Sequence, residues 1–278
     1  MLAKQHHSSP FPSPSCVRPN GSSAALGGRN RILGRYFHLH FALDDSLTED
    51  DEDAVSTTPF ASLSATPLFH LHIKPFIFWK RQRSKRNVAQ YLWDNYLGGQ
   101  SDSRPLGAVT LDGIDFAIVN PNTTTPSLYT VLAKALKAFG DQVYLAAAPQ
   151  CIYFDRELQD AINTNIFDSV WVQFYNNPTC EYYDGTAHNL LYNWRNWSNA
   201  PIKKLFLGLP ASPEAATNGG FIPPDNLISE VLPFINSTTN YGGVMLWCKY
   251  FDNNYSTIIR PYVVGQAENY ITSYLSYQ

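Results

Sequence analysis

Two carboxylates lie close together in the apolar segment Leu111–Val119, whose sequence is LDGIDFAIV. Successive side chains of a β-strand point to opposite faces, so Asp115, Ala117 and Val119 share one face of this segment. A carboxylate can accept hydrogen bonds, whereas the side chains of Ala117 and Val119 can neither donate a proton nor form a hydrogen bond. Within this segment, acid chemistry is therefore confined to Asp112 and Asp115.

Two histidine pairs form a candidate metal site elsewhere in the chain. His38 with His40, and His70 with His72, each place two imidazoles on one face of an alternating stretch. Such a pair can supply two ligands to zinc. The sequence shows no clear third or fourth ligand, so we predict neither a metal site nor a cofactor. The acidic run from Asp44 to Asp53 lacks the ligand spacing of an EF-hand and indicates a solvated loop.

The N-glycosylation sequons and the N-terminal residues give opposing indications about the compartment. Four cysteines in a chain of this length do not form a disulfide scaffold, and each Asn-x-Ser/Thr sequon indicates secretion only weakly. The N-terminal residues lack the apolar core of a signal peptide. The cysteines are Cys16, Cys151, Cys180 and Cys248, and the sequons begin at Asn20, Asn122, Asn196, Asn236 and Asn254.

Five short apolar runs alternate with helical patterns from residue 84 to the C-terminus. Continuous apolar strands separated by helices indicate a parallel sheet with both faces covered. The leading architecture is a (β/α)8 TIM barrel, with a doubly wound sheet as the alternative. A complete barrel takes ~250 residues, so residues 84–278 have room for about five units. The runs lie near residues 108–118, 143–148, 168–174, 204–209 and 242–247.

The first 83 residues follow a different pattern and are interpreted as a largely irregular segment. Residues 1–30 and 44–58 lack the apolar content that offsets the entropy of ordering, so we predict that they are disordered. The sequence thus divides into an N-terminal segment, residues 1–83, and a partial barrel, residues 84–278.

Two alternating stretches in the N-terminal segment, near residues 36–43 and 69–78, can supply strands. Residues 69–79 carry a one-sided apolar face, and we expect them to cover the open edge beside the strand near residues 108–118.

The composition excludes several classes of protein. Apolar residues make up 44% and charged residues 15% of the 278 residues, which excludes wholesale disorder. The net charge of −3 argues against a general nucleic-acid binder. Aromatic residues reach 14%, which suits amphipathic binding surfaces, carbohydrate being one candidate ligand.

The segment Leu111–Val119 resembles the strand-four signature of glycoside hydrolase family 18, D-G-x-D-x-D-x-E. Further motifs resemble plant class III chitinases of the hevamine type, in family order from about residue 84 onwards. This resemblance implies strands four to eight of a TIM barrel, with the first three units truncated or replaced. The motifs are NVAQYLWDNYLGG, SRPLG, VYLAAAPQC, FDSVWVQFYNNPTC, LFLGLPASPEAA, IPPDNLIS and YGGVMLW.

The resemblance also implies the family's substrate-assisted chemistry. In that family the last acid of the signature protonates the glycosidic oxygen, while the acid two residues earlier orients the substrate's N-acetyl group, whose oxygen attacks C1. These positions hold Val119 and Ala117 here. Asp112 and Asp115 match the first two acids, which support the site. The resemblance therefore implies a chitinase fold without its catalytic acid.

Other positions retain the residues of the family's cleft. Gln173 and Tyr175 match residues of strand six, where the tyrosine hydroxyl contacts the acetamide. Trp247 matches the strand-eight tryptophan that stacks on the sugar. By the same resemblance, Cys151 and Cys180 match a disulfide that joins the ends of strands five and six.

Three functional hypotheses remain open. One is an acidic endochitinase that hydrolyses β-1,4 bonds of chitin. Another, which Ala117 and Val119 favour, is a chitinase-like pseudoenzyme acting as a lectin, inhibitor or storage protein. The last is a remnant that barely folds. The expected partners of the pseudoenzyme are chitin or N-acetylglucosamine oligosaccharides, bound weakly by a monomer, with no nucleic acid and no membrane. The family implies an extracellular or vacuolar plant-defence protein. This location disagrees with the N-terminal residues, in which we see no signal peptide.

Overall fold

The computed structural model describes residues 24–27, 36–41, 69–71, 85–118 and 127–263, and these include an eight-stranded sheet. Across the sheet the strands run in the order β1-β8-β7-β6-β5-β4-β2-β3. In chain order they are β1 (Ala24–Gly27), β2 (Tyr36–Phe41), β3 (Phe69–Leu71), β4 (Gly113–Ile118), β5 (Tyr144–Ala147), β6 (Ser169–Gln173), β7 (Leu205–Pro210) and β8 (Tyr241–Trp247).

Helices follow the strands from β4 onwards, and one more precedes β4. The segment between β7 and β8 is interrupted by a π-helical turn, Leu227–Val231. Within the described ranges, the α-helices are α1 (Lys85–Tyr96), α2 (Ser127–Lys137), α3 (Gln159–Ile162), α4 (His188–Ser198), α5 (Pro224–Asn226), α6 (Leu232–Ile235) and α7 (Tyr255–Val263).

The five strands β4 to β8 are parallel neighbours in chain order, as the sequence predicted. In their register Asp115 lies opposite Ala146, Trp171 opposite Phe206, and Pro210 opposite Trp247, with one shift between β7 and β8 at Leu205–Phe206. Because parallel neighbours joined by right-handed crossovers place their carboxyl ends at one edge, the loops after these strands gather on one side of the sheet.

The strand that pairs with β4 at its open edge is not the one predicted from the sequence. Tyr36–Phe41 of β2 pairs with all six residues of β4, from Tyr36 opposite Gly113 to Phe41 opposite Ile118. β3 pairs with β2, one strand further out, so the expectation that residues 69–79 cover the β4 edge is wrong. The longer alternating run can pair along the whole of β4, whereas β3 contributes three residues.

At the other end of the sheet, β1 pairs antiparallel with β8. The disorder predicted for residues 1–30 and 44–58 falls outside the described residues, apart from Ala24–Gly27, which forms this strand and corrects the prediction there.

The two faces of the sheet have different surroundings. One face carries Ile114 and Phe116 of β4, which join the large apolar cluster formed with the helices. The opposite face carries a smaller buried cluster from five neighbouring strands and the residue that follows β5. Its members are Ala117, Ala146, Ala148, Trp171, Phe206 and Met245. This second face, called the inner face below, is the one on which the sequence places the site residues.

Among the residues that the structure describes, none of the helices is long and apolar enough to cross a bilayer.

Candidate functional site

A hydrogen-bonded pair of buried side chains lies on the inner face of the sheet, between β4 and β6. Trp171 Nε1 donates to Asp115 Oδ1 at 2.9 Å, and both side chains are almost completely inaccessible to solvent. A buried carboxylate is tolerated when hydrogen bonds compensate for the lost water. The Trp171 ring in turn packs edge-on against Phe206, with ring centroids 5.7 Å apart. The hydrogen bond from Trp171 of β6, two strands away from β4, therefore holds Asp115 in one position.

Ala117 lies on the same face, two residues further along β4, inside the small apolar cluster. It is 2% exposed and shares that cluster with Trp171, Phe206 and Met245. A methyl group supplies no hydrogen bond there. This part of the inner face is therefore an apolar wall, without a group that can anchor an acetamide.

Tyr175 lies just beyond the end of β6, almost fully buried and close enough to Asp115 for the two to interact electrostatically. Burial, reinforced by the negative charge of Asp115, raises the pKa of the Tyr175 phenol well above its ordinary value. Gly220, at φ +96°, allows the loop after β7 to lie directly against the Tyr175 backbone, where a β-carbon would come within 2.5 Å of Cα. The Tyr175 hydroxyl therefore stays protonated and can donate a hydrogen bond at neutral pH.

Gln173 and Trp247 end two strands of the same parallel sheet. Gln173 is partly buried at the end of β6, and its Nε2 donates to the Ala148 carbonyl at 2.6 Å. Trp247 is partly buried at the end of β8, and its carbonyl accepts a 2.7 Å hydrogen bond from the Ala211 amide. The peptide bond from Trp247 to Cys248 is cis. The structure thus places Gln173, Tyr175 and Trp247 at the carboxyl ends of the strands, where ligands of parallel α/β folds bind.

The structure joins Cys151 and Cys180 in a disulfide, the pairing that the resemblance implied. Both residues are fully buried, and their Cα atoms are 5.6 Å apart. Trp197 Nε1 of α4 donates to the Cys151 carbonyl at 2.9 Å. Cys248 is also disulfide-bonded. The bridge ties the loop after β5 to the loop after β6.

Asp112 lies apart from this group. It directly precedes β4, at the amino end of the strand, and is partly buried. Asp115 faces the inner cluster three residues later. Asp112 therefore sits away from the carboxyl-end rim, and the two aspartates do not act on one ligand position.

Other candidate residues predicted from the sequence lie beyond the ranges that can be described. Val119 follows the last described residue of β4, and nothing is described of the side chains of the paired histidines. Among described residues, no group of three histidine, cysteine or acidic side chains is arranged to hold a metal ion.

Two buried residues, one in the site and one next to the disulfide, were not predicted from the sequence. Side chains alternate along a strand, so Trp171 lies on the same face as Gln173, two residues later. Counting back from Gln173 was the signal that could have identified Trp171. Glu181 follows the disulfide residue Cys180, is fully buried, and accepts a 2.6 Å hydrogen bond from the Asn177 amide. Its burial raises the pKa of the carboxyl. No pattern in the sequence distinguishes it from a surface acid.

Removing the indole donor is expected to destabilise the protein. Trp171→Phe should lower the free energy of unfolding by about 1.5–3 kcal/mol, because hydrogen bonds to charged groups contribute that much. Urea unfolding followed by circular dichroism measures it. Trp194→Phe is the matched control, because Trp194 is equally buried and its Nε1 has no acceptor among the described residues. Equal losses in the two variants would contradict the role assigned to the Trp171–Asp115 bond.

Comparison with known proteins places this geometry in a family. An acidic endochitinase of Cucumis sativus is 57% identical over 175 residues, covering 63% of this chain and 58% of the relative. A chitinase from Ipomoea carnea has a similar structure, with a TM-score of 0.62 and 51% identity over 72% of this chain and 71% of the other. A xylanase and α-amylase inhibitor protein from Scadoxus multiflorus has a TM-score of 0.58 and 42% identity, covering 63% and 66%.

The chain spans less than two thirds of the length of the Cucumis sativus relative. The model of the glycosyl hydrolases family 18 matches residues 74–226, which is more than half of the chain and begins ten residues before the predicted boundary. The parallel sheet, the aromatic and amide side chains at its carboxyl edge and this match together show that the chain belongs to glycosyl hydrolase family 18.

Proposed function

We propose that this protein is a chitinase-like member of family 18 that binds N-acetylglucosamine oligomers without hydrolysing them. The observation that carries the proposal is the inner face of β4. On that face, residue 117 contributes a methyl group inside an apolar cluster. In the sequence, the last position of the family signature, residue 119, is valine. The family chemistry needs a proton donor and an acetamide anchor at these two positions. Neither side chain can act in either role.

Retained side chains support binding. Trp247 offers an indole at the carboxyl end of β8, and the apolar face of a sugar ring packs favourably on such a ring. Tyr175 keeps its hydroxyl proton, and Gln173, two residues earlier at the end of β6, keeps its amide. The missing acetamide anchor at Ala117 lowers the affinity, so the proposal is one of weak binding in a cleft formed by β4 to β8.

The similar proteins include both an enzyme that hydrolyses chitin and a protein that inhibits enzymes. The Cucumis sativus protein is an acidic endochitinase, which favours hydrolysis as the alternative function. The Scadoxus multiflorus protein is an inhibitor of xylanase and α-amylase, which favours a role without hydrolysis. Hydrolysis by the family chemistry requires acids at positions 117 and 119, and the sequence has alanine and valine there. Binding without turnover is therefore the function that we propose for this chain.

The disulfides support a secreted or vacuolar location. Cys151–Cys180 is intact in the structure, and Cys248 is bonded as well. Disulfides of this buried kind persist in oxidising compartments and are rare in the cytosol.

Truncation of the stacking residue tests the proposed cleft. Trp247→Ala is expected to weaken the binding of chitotetraose about tenfold, because the loss of one aromatic contact is worth about 1.4 kcal/mol. Isothermal titration calorimetry measures the affinity, and chromatography of the same sample checks that the sugar stays intact.

The matched control is Trp93→Phe, since Trp93 stacks on Phe139 between α1 and the end of α2, remote from the carboxyl-end loops. Its affinity should equal that of the unmodified protein. Submicromolar binding that survives Trp247→Ala would show that the sugar uses another groove.

A further inference from the structure

Three of the five sequons lie in the part of the chain that the structure describes, and they differ in exposure. Asn196 is partly buried within α4, next to the fully buried Trp197. Asn236 and Asn254 are exposed. A glycan can be accommodated in the folded protein where the asparagine amide reaches solvent, so the fold favours the latter two.

The surroundings separate these two candidates. Asn254 has a left-handed backbone, at φ 65°, and comes seven residues after Trp247 at the carboxyl end of β8. A glycan there would stand beside the proposed cleft. Asn236 directly follows α6 and comes five residues before β8 begins. It therefore lies towards the opposite end of the sheet from Trp247, where a glycan leaves the cleft open.

Asn236 adjoins an exposed apolar strip on α7. Its Nδ2 donates a long, 3.3 Å hydrogen bond to the Tyr262 carbonyl. Ile258 and Tyr262 are four residues apart on α7, so they lie on one side of the helix, and they are 48% and 51% exposed. Tyrosine rings pack against the apolar faces of sugars, so a sugar attached at Asn236 can cover this strip.

We propose that Asn236 is an N-glycosylation site whose proximal sugars cover the strip formed by Ile258 and Tyr262. The motif Asn236-Ser237-Thr238 is the acceptor sequence. The co-substrate is an oligosaccharide carried on a lipid pyrophosphate. The Nδ2–C1 bond forms, the C1–oxygen bond to the pyrophosphate breaks, and one Nδ2 proton leaves to a base. The disulfides agree with passage through the compartment where this transfer occurs.

Expression of the full chain behind a yeast secretion signal tests the proposal. Cell extract and medium are pooled, and the protein is treated with peptide N-glycosidase in heavy-oxygen water. Mass spectrometry should show Asn236 converted to labelled aspartate. Asn236→Gln should remove the corresponding gel shift, whereas Asn199→Gln should retain it, because Asn199 is exposed but lies outside any sequon. An unlabelled Asn236 in a protein that carries disulfides would overturn the proposal.

A separate measurement tests whether the glycan covers Ile258 and Tyr262. Removal of the glycan should increase hydroxyl-radical labelling of Tyr262, relative to Tyr192, which is 63% exposed on α4. Unchanged labelling of Tyr262 would overturn that part of the proposal.

Discussion

The double substitution Ala117→Asp and Val119→Glu is expected to raise the rate of chitotetraose cleavage by about 10²–10⁴-fold over the unmodified protein, the usual contribution of a positioned proton donor. The two changes restore the two missing acids of the family signature. Asp115, which matches the second acid of that signature, is already held by Trp171 on the inner face of β4. High-performance chromatography of the products at several pH values measures the rate.

The uncharged pair Ala117→Asn and Val119→Gln is the matched control, because it has nearly the same shape but no acid. It should stay as slow as the unmodified protein. An equal gain in the control, or no gain in a double variant that still unfolds cooperatively, would contradict the assignment of the lost acid to these positions.

Removal of the buried disulfide is expected to have the largest effect on stability. Cys151→Ala combined with Cys180→Ala should lower the free energy of unfolding by about 3 kcal/mol, because the bridge closes a loop and restricts the unfolded chain. The two cysteines are 29 residues apart in sequence. Alanine is chosen because both positions are fully buried, and serine would leave a hydroxyl there without a partner.

Urea unfolding in oxidising and in reducing buffer separates the bridge from packing effects. In reducing buffer the variant and the unmodified protein should unfold at similar urea concentrations. Equal stability in oxidising buffer would show that the Cys151–Cys180 bridge contributes nothing to the folded state.

The strands from β4 to β8 could be predicted because each is a continuous apolar run bounded by turn signals. The run near residues 204–209, for example, corresponds to Leu205–Pro210, all buried. A strand covered on both faces must be apolar throughout, and this requirement is visible in a short window of sequence. Proline and glycine mark where the intervening helices begin and end.

The pairing of the N-terminal strands could not be predicted in the same way. Tyr36–Phe41 and Phe69–Leu71 both alternate and both contain histidine, so the local pattern does not say which one lies beside β4. That choice depends on contacts with residues far along the chain, such as the pairing of Tyr36 with Gly113. Periodicity carries no information about such partners.

Site residues could be predicted where a sequence motif identifies them. They could not be predicted where their role depends on a contact with a residue far away in the sequence. Trp247 and Gln173 were identified from their motifs and end strands of the same sheet. The bond from Trp171 to Asp115 joins residues 56 positions apart and is visible once β4, β5 and β6 are aligned. The apolar surroundings of Ala117 likewise come from four other strands and the residue after β5, so the sequence of β4 alone did not reveal them.

The rate of chitotetraose hydrolysis by the unmodified protein tests the central claim most directly. Purified protein with a cooperative thermal unfolding transition is incubated with chitotetraose over a range of pH, beside an active endochitinase of the same family. The account predicts intact chitotetraose at every pH, with product no higher than in the protein-free blank. Turnover comparable to that of the active enzyme would contradict it.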